Sequence, residues 1–202
     1  MFEKFGKLFA PSVRRLPLFP LSTVLFPGGR MPLRIFEQRY MDLAKSCLAD
    51  DASFGICAIR QGGEVGEPAI PYAVGTEGRI VEWDMPQPGM FHVVVEGMQR
   101  YIARNWAAQP NGLLVAEVEA VSTEKTCPVP EDLRLCGEVL KYLLTEHRIE
   151  PEQTDYEDAV WVGCRLSELL PFKLSVKQDL LEMNDSLARL RIIDQFLRQN
   201  AK

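Results

Sequence analysis

The sequence predicts an α+β fold, a β-rich amino-terminal barrel followed by a bundle of helices. Three observations carry this. The first 121 residues hold about six β-prone runs separated by turn formers. One segment among them, 36–48, switches to helical spacing. Beyond residue 130 apolar residues recur at steps of three and four. The expected organisation is an arm at 1–13, a β domain at 14–121, a linker at 122–130 and a helical subdomain at 131–202.

In chain order, the stretch LPLFPLSTVLFPGGRMPLRIFEQRY (16–40) comes first. Pro17 and Pro20 remove backbone donors, which suits an edge or irregular strand. Residues 22–26 form a short β-prone run. Pro27-Gly28-Gly29 is a turn, since proline presets φ and glycine tolerates positive φ. Residues 31–35 resume an extended path. Phe36, Tyr40, Leu43, Ala44, Cys47 and Leu48 then mark a helix that Asp50-Asp51 ends. Residues 53–59 read as a buried strand turned by Gln61-Gly62-Gly63. The runs 72–83 and 90–96 read as hairpin arms around the turn-rich 84–89. Gly97 marks a turn or bulge before the run 99–106, and Pro110-Asn111-Gly112 precedes the strand 113–121. Six short strands of this kind suggest a closed or half-closed barrel.

Pro130, with Glu131 and Asp132 beside it, opens the first helix of the second part. Leu133, Cys136, Leu140, Leu143 and Leu144 form its stripe. Thr154 and Glu157 make a capping-box pattern for a helix reaching Leu169, and Ser175 and Gln178 repeat the pattern. Val176, Leu180, Met183, Leu187, Leu190, Ile193 and Leu197 follow, with Asn184-Asp185 as a break between two helices. A unit of three or four helices results.

Composition excludes several function classes. A hydrophobic share of 47% supports a packed core rather than disorder. The net charge of −5 disfavours nucleic acid, whose phosphates need clustered basic groups. Five cysteines without a Cys-x-x-Cys, and two histidines, make a zinc site improbable. Cys47, Cys136 and Cys164 fall on apolar helix stripes and Cys57 in a buried strand, leaving Cys127 as the one exposed thiol. Unpaired thiols in this number suit a reducing, cytoplasmic compartment. The amino-terminal segment lacks the apolar run of a secretory signal, and no stretch is long enough to span a membrane. Phe2, Phe5, Leu8 and Phe9 have the spacing of one apolar face of a short helix, of the kind a membrane surface would bind; a mobile arm or a turn docked on the body is the preferred reading.

Catalytic motifs are absent or isolated. There is no P-loop, no Gly-x-Gly-x-x-Gly, no His-Glu-x-x-His and no Gly-x-Ser-x-Gly. Ser122 and Lys125 have Ser-x-x-Lys spacing, but in a linker rather than at a helix start. A Cys127 thiol paired with His92 or His147 is the other conceivable nucleophile. His92 reads instead as a strand residue with a solvent-facing ring, and His147 as a residue near a helix C-terminus. The Glu117/Glu119 pair reads as a solvated strand edge.

The opening stretch resembles the amino-terminal domain of the Lon ATP-dependent protease family. The carriers are Leu16-Pro17 to Leu21, Phe26-Pro27-Gly28 and Pro32-Leu33, joined by VGTEGRIVEW (74–83), VVVEGMQRYIA (93–103) and KQDLLEMNDSLARL (177–190). The 35–40 ending is similar to small stand-alone proteins of the group. The resemblance covers roughly 14–200. It implies a PUA-like pseudo-barrel followed by a helical bundle, similar to the Lon-like domain of cereblon. It further implies the substrate-recognition part of Lon without the ATPase and Ser-Lys peptidase modules.

The leading expectation is therefore a non-catalytic module that binds unfolded or exposed polypeptide segments, with a protease or chaperone system as the implied setting. No cofactor, nucleic acid or membrane is expected as a partner. Trp83, Met85, Met90 and Phe91 flank the hairpin tip as an adaptable apolar surface. The same four side chains tucked beneath the hairpin would be local core. A groove between barrel and helices is the other place for a peptide. Glu37, Arg39, Tyr40 and Arg100 are charged or aromatic anchors, for the strand path or for a ligand. The alternatives are a small Ser/Lys or Cys hydrolase and an RNA-binding PUA-like domain.

Overall fold

The computed structural model describes residues 13–151 and 154–200. Residues 1–12 of the arm expected at 1–13, with Phe2, Phe5, Leu8 and Phe9, lie outside the described residues. Six strands follow one another as β1 (Arg14–Leu21), β2 (Arg30–Ile35), β3 (Phe54–Gln61), β4 (Ile70–Gln87), β5 (Met90–Ala108) and β6 (Leu114–Ala120). Helix α1 (Gln38–Asp50) lies between β2 and β3. The sheet order is β2-β5-β4-β3-β1-β6, and a β5–β6 pairing joins its far end back to the second strand. Five strands thus close a ring, and β2 rides outside it.

The length of β5 makes this possible. Its first part pairs with β2, from Ile35↔Phe91 to Arg30↔Glu96. Its last part pairs with β6, from Tyr101↔Ala120 to Ala108↔Leu114. β4 runs along its other side. Phe91, Val93 and Val95 alternate inward with period two, as a half-buried strand requires. The alternation breaks at Met98 and Gln99, both exposed, where these two residues of β5 oppose one of β4, Glu77. The expected feature at Gly97 is thus a bulge within one continuous strand. Gly97 has a second task. Its N–H donates to Gly29 O (2.8 Å), and its carbonyl accepts from Gly28 N–H (2.7 Å). A Cβ there would collide with the Phe26 carbonyl.

Four local expectations are corrected. β1 is interior, between β3 and β6, rather than an edge. Its prolines survive because β6 pairs with 14–18 and β3 with 18–21. Each half therefore has one open flank, where a missing donor breaks no ladder bond. Residues 22–26 form no strand. They are wedged between barrel and helices, with Val24, Leu25 and Phe26 buried. Their backbone is satisfied by side chains: Thr76 Oγ1 donates to Leu25 O (2.6 Å), and Phe26 N–H donates to Glu168 Oε1 (3.0 Å). The hairpin pairs as far as Gln87↔Met90, so the turn is only Pro88-Gly89, with Gly89 at φ 84°. The helix caps also differ from those expected.

The helical part opens with a 3-10 turn, Glu131–Leu133, after Pro130. It continues as α2 (Arg134–Glu146), α3 (Ala159–Leu169), α4 (Leu174–Glu182) and α5 (Ser186–Asn200). Asp158, not Thr154, caps α3. Its carboxylate accepts from Val160 N–H (3.2 Å) and from Cys127 N–H (3.0 Å), so it also pins the linker. Lys173 stands at the N-cap of α4, and Ser175 lies inside that helix. The break at Asn184-Asp185 is present, with Asp185 Oδ1 accepting from Ala188 N–H (2.9 Å). Leu140, Val162, Leu166, Leu190 and Ile193 fill the bundle centre. Each such side chain contributes about 1.5–3 kcal/mol on burial. A further cluster of Val24, Phe26, Ala58, Cys164, Leu180 and Leu181 joins bundle to barrel.

Candidate functional site

The expected site residues fall into three places. The first is the start of α1. Glu37 occupies its N-cap position without a side-chain capping bond. Its carboxylate instead pairs with Arg39 Nη2 at 3.0 Å. Arg39 Nη1 donates to Gly112 O (3.1 Å), and its guanidinium lies 4.8 Å from the centroid of the Tyr40 ring. Tyr40 stacks on Phe19 at 4.0 Å between centroids. Burial pushes its hydroxyl up to about 12, so it stays protonated. Arg39 and Tyr40 are buried, and this trio ties α1 to the barrel.

The second place is the barrel–bundle joint. Arg100 is buried on β5. Its Nη1 donates to Leu181 O and Met183 O, both at 2.7 Å, and its Nη2 donates to Asn184 Oδ1 at 2.7 Å. Four of the expected residues thus have side chains enclosed by the fold: Arg39, Tyr40, Arg100 and Phe91.

The third place is the hairpin. Trp83 is 58% exposed and Met85 41% exposed, while Phe91 is buried and Met90 half-buried. The register sets Trp83 opposite Val93, and its ring lies 6.0 Å from that of Phe91. Trp83 therefore continues the apolar face of the barrel core onto an open surface.

Cavities surround this region. One of about 480 Å³ is lined by Pro32, Leu33, Arg34, Trp83, His92 and Val93. A second, of about 260 Å³, shares Pro32, Leu33 and Arg34 and adds Phe36, Tyr40 and Val65. A third, of about 400 Å³, lies where the 23–32 segment faces α2 and α3, among Met31, Pro32, Leu144, Ile149 and Trp161. All three border β2. Another barrel–bundle cleft, of about 510 Å³, is lined by Met98, Gln99, Ser122, Glu124, Val160 and Cys164. The place of β2 on the sheet edge was not read from the sequence. Pro32 in mid-strand was its signal, since a strand proline belongs on an edge.

The reactive groups do not assemble a nucleophile. Burial pushes the thiols of Cys47 and Cys164 up to about 11, and those of Cys57 and Cys136 up to about 12. A thiol so shifted holds no thiolate at neutral pH. Cys127 is half-exposed, and its sulfur lies 3.8 Å from its neighbour's carbonyl, Pro128 O. Ser122 and Lys125 lie exposed on irregular chain, with no hydrogen bond between them. His92 differs from expectation: it is half-buried, with Nε2 enclosed and without a hydrogen-bond partner. His147 is the C-cap of α2. Glu119 pairs with Arg104 at 2.9 Å, and Glu117 accepts from Asn105 at 3.1 Å. Among the described residues no group of three His, Cys, Asp or Glu side chains is placed to hold a metal. No helix there is long and apolar enough to cross a membrane.

Fold and clefts define the class first: an α+β pseudo-barrel with a helical annex, its cavities open at the surface along a sheet edge. The chain belongs to the family of the ATP-dependent protease La (LON) substrate-binding domain, which matches residues 15–199. It is 29% identical over 195 residues to Lon protease 2 of Myxococcus xanthus, covering 91% of this chain and 23% of that protein. It is 26% identical over 194 residues to the Lon protease of Anaeromyxobacter dehalogenans, with the same coverages. The chain thus spans about a quarter of the length of these relatives. Among solved structures it is similar to the Lon N-terminal domain protein from Xanthomonas campestris, with TM-score 0.75 and 34% identity, covering 89% of this chain and 96% of that one. The N-terminal domain of Mycobacterium avium complex Lon protease shares the fold, with TM-score 0.64 at 16% identity, covering 93% of this chain and all of the other.

Proposed function

We propose that this chain is a non-catalytic module that binds exposed segments of other polypeptides in the cytoplasm and leaves them chemically unchanged. The observation that carries the reading is the open, partly apolar surface around β2 and the hairpin, borne on a domain of the Lon substrate-binding family. Trp83 and Met85 supply large, adaptable contact area at that surface. The raised thiols and the isolated Ser122 and Lys125 favour holding over cleaving. A protease or chaperone system that receives the held segment is the natural partner.

The test is a titration of the protein into labelled, reduced and carboxymethylated lactalbumin, a chain that cannot refold. The reading expects saturable binding, with the lactalbumin intact on a denaturing gel after prolonged incubation. Absence of binding, or fragments that disappear on Ser122→Ala or Cys127→Ala substitution, overturns it.

A further inference from the structure

Among the described residues, β2 pairs with β5 alone, and the other edge of the strand has no strand beside it. Pro32 stands at its centre, opposite Val94. A proline has no N–H to give, so in a ladder it turns that side of its backbone away from the partner strand. Backbone groups alternate along a strand, so Arg34 presents its N–H and carbonyl on the same open edge, while Leu33 directs its own to β5. The edge thus offers the carbonyls of Pro32 and Arg34 and the Arg34 N–H, with a cavity of about 260 Å³ beside it. Pro32, Leu33 and Arg34 line it, with exposed Phe36 and Val65 at its rim. A second cavity, of about 480 Å³, lies on the sheet face over β2, β5 and β4, with Trp83 beside it.

Charge selects the occupant. Arg34 is exposed and has no ion-pair partner among the described residues. The acidic groups around it are engaged elsewhere. Glu82 lies 3.5 Å from Arg30 and Glu37 3.0 Å from Arg39, while Glu64 accepts from Ser22 N–H and Asp84 from Met85 N–H. A second copy of the chain is a poor occupant. Antiparallel pairing of two β2 strands about Pro32 would set Arg30 against Arg34 twice, and like charges directly opposite repel.

We propose that an extended polypeptide adds to β2 as a further strand, with a client carboxylate facing Arg34. This rests on the polypeptide-binding reading and names its site and the chemistry it selects. Main-chain bonds supply sequence-tolerant affinity, the cavity beside the edge takes a client side chain, and Arg34 supplies the preference.

The test uses fluorescent ten-residue peptides of alternating valine and threonine with one central glutamate, or with lysine in its place. Two further glutamate peptides carry N-methyl groups on one or the other alternate set of amides. The glutamate peptide is expected to bind about fivefold tighter than the lysine peptide, and Arg34→Glu to reverse that order. One N-methylated set is expected to abolish binding and the other to leave it intact, because only one side of an added strand faces β2. Equal binding of both N-methylated peptides, or a glutamate preference that survives Arg34→Glu, overturns the proposal. Carboxymethylated lactalbumin is titrated in parallel. If it binds while the peptides fail these criteria, the strand-addition site is wrong and the polypeptide-binding reading stands. If it also fails to bind, both fall.

Discussion

Arg189 grips Glu124 in a fork, with Nη1 3.1 Å from Oε2 and Nη2 2.7 Å from Oε1. Arg100 adds its Nη2 at 3.1 Å from the same Oε1. The two guanidiniums also reach the last carbonyls of α4 and the residue beyond: Arg189 those of Leu180 and Met183, Arg100 those of Leu181 and Met183. Cations at a helix C-terminus meet the negative end of its dipole. One carboxylate from the linker thus joins β5 of the barrel to α4 and α5 of the bundle.

Removing that carboxylate leaves two enclosed cations without their counter-ion. Glu124→Ala is expected to cost about 3–5 kcal/mol, the usual penalty for breaking a buried pair on one side. Urea denaturation followed by circular dichroism checks it. A loss below about 1 kcal/mol would mean that the joint is held by packing alone.

Stability should depend on pH through Glu168. Burial pushes its carboxyl from 4.5 up to about 7, against the pull of Arg165 and the Phe26 N–H. The folded chain therefore holds this proton more tightly than the unfolded one. The stabilisation is full below pH 4.5 and is lost as pH rises through about 7. Glu168→Gln keeps an acceptor for Phe26 N–H and is expected to flatten this part of the profile. Urea midpoints of the two proteins at about pH 5 and about pH 8 measure it.

Thiol reactivity should separate Cys127 from the rest. In the folded protein at mildly alkaline pH, a disulfide reagent is expected to modify about one thiol quickly, with all five reacting in urea. Cys127→Ser should remove the fast phase. A fast phase that survives it would mean that a second thiol is open to solvent.

Trp83 and Phe91 touch but should behave as opposites. Phe91→Ala removes a buried ring and is expected to cost about 3–5 kcal/mol. Trp83→Ala, at an exposed position, should change stability by less than about 1 kcal/mol. It should weaken lactalbumin binding about tenfold or more, as loss of an aromatic anchor does. Thermal melts and titrations of both variants read the contrast.

Features that depend on local chemistry were legible in the sequence. Pro27-Gly28-Gly29 announced its turn, Gly97 a turn or bulge that proves to be a bulge, and the apolar steps from Leu133 onward their helices. Features that depend on which distant segment comes to lie alongside were not. Pro17 and Pro20 read as edge residues, yet β1 is interior, because its two partners share it end to end. The 22–26 run reads as a strand, yet it borrows Thr76 and Glu168 as partners from far along the chain. Thr154 reads as a cap, but Asp158 wins because it also binds the linker at Cys127. At the site, Trp83 and Met85 were visible as exposed apolar candidates. The open edge of β2 had Pro32 as its one sign, and the prolines of interior β1 show why that sign alone does not decide it: a strand's count of neighbours is a property of the closed sheet.

The most direct test of polypeptide capture at the barrel is hydrogen exchange, read by mass spectrometry with and without carboxymethylated lactalbumin. Slower exchange is expected in a peptide spanning β2 and in the hairpin around Trp83, with the mass of the lactalbumin unchanged. Unaltered exchange across both segments at saturating lactalbumin, or lactalbumin returned as fragments, would contradict it.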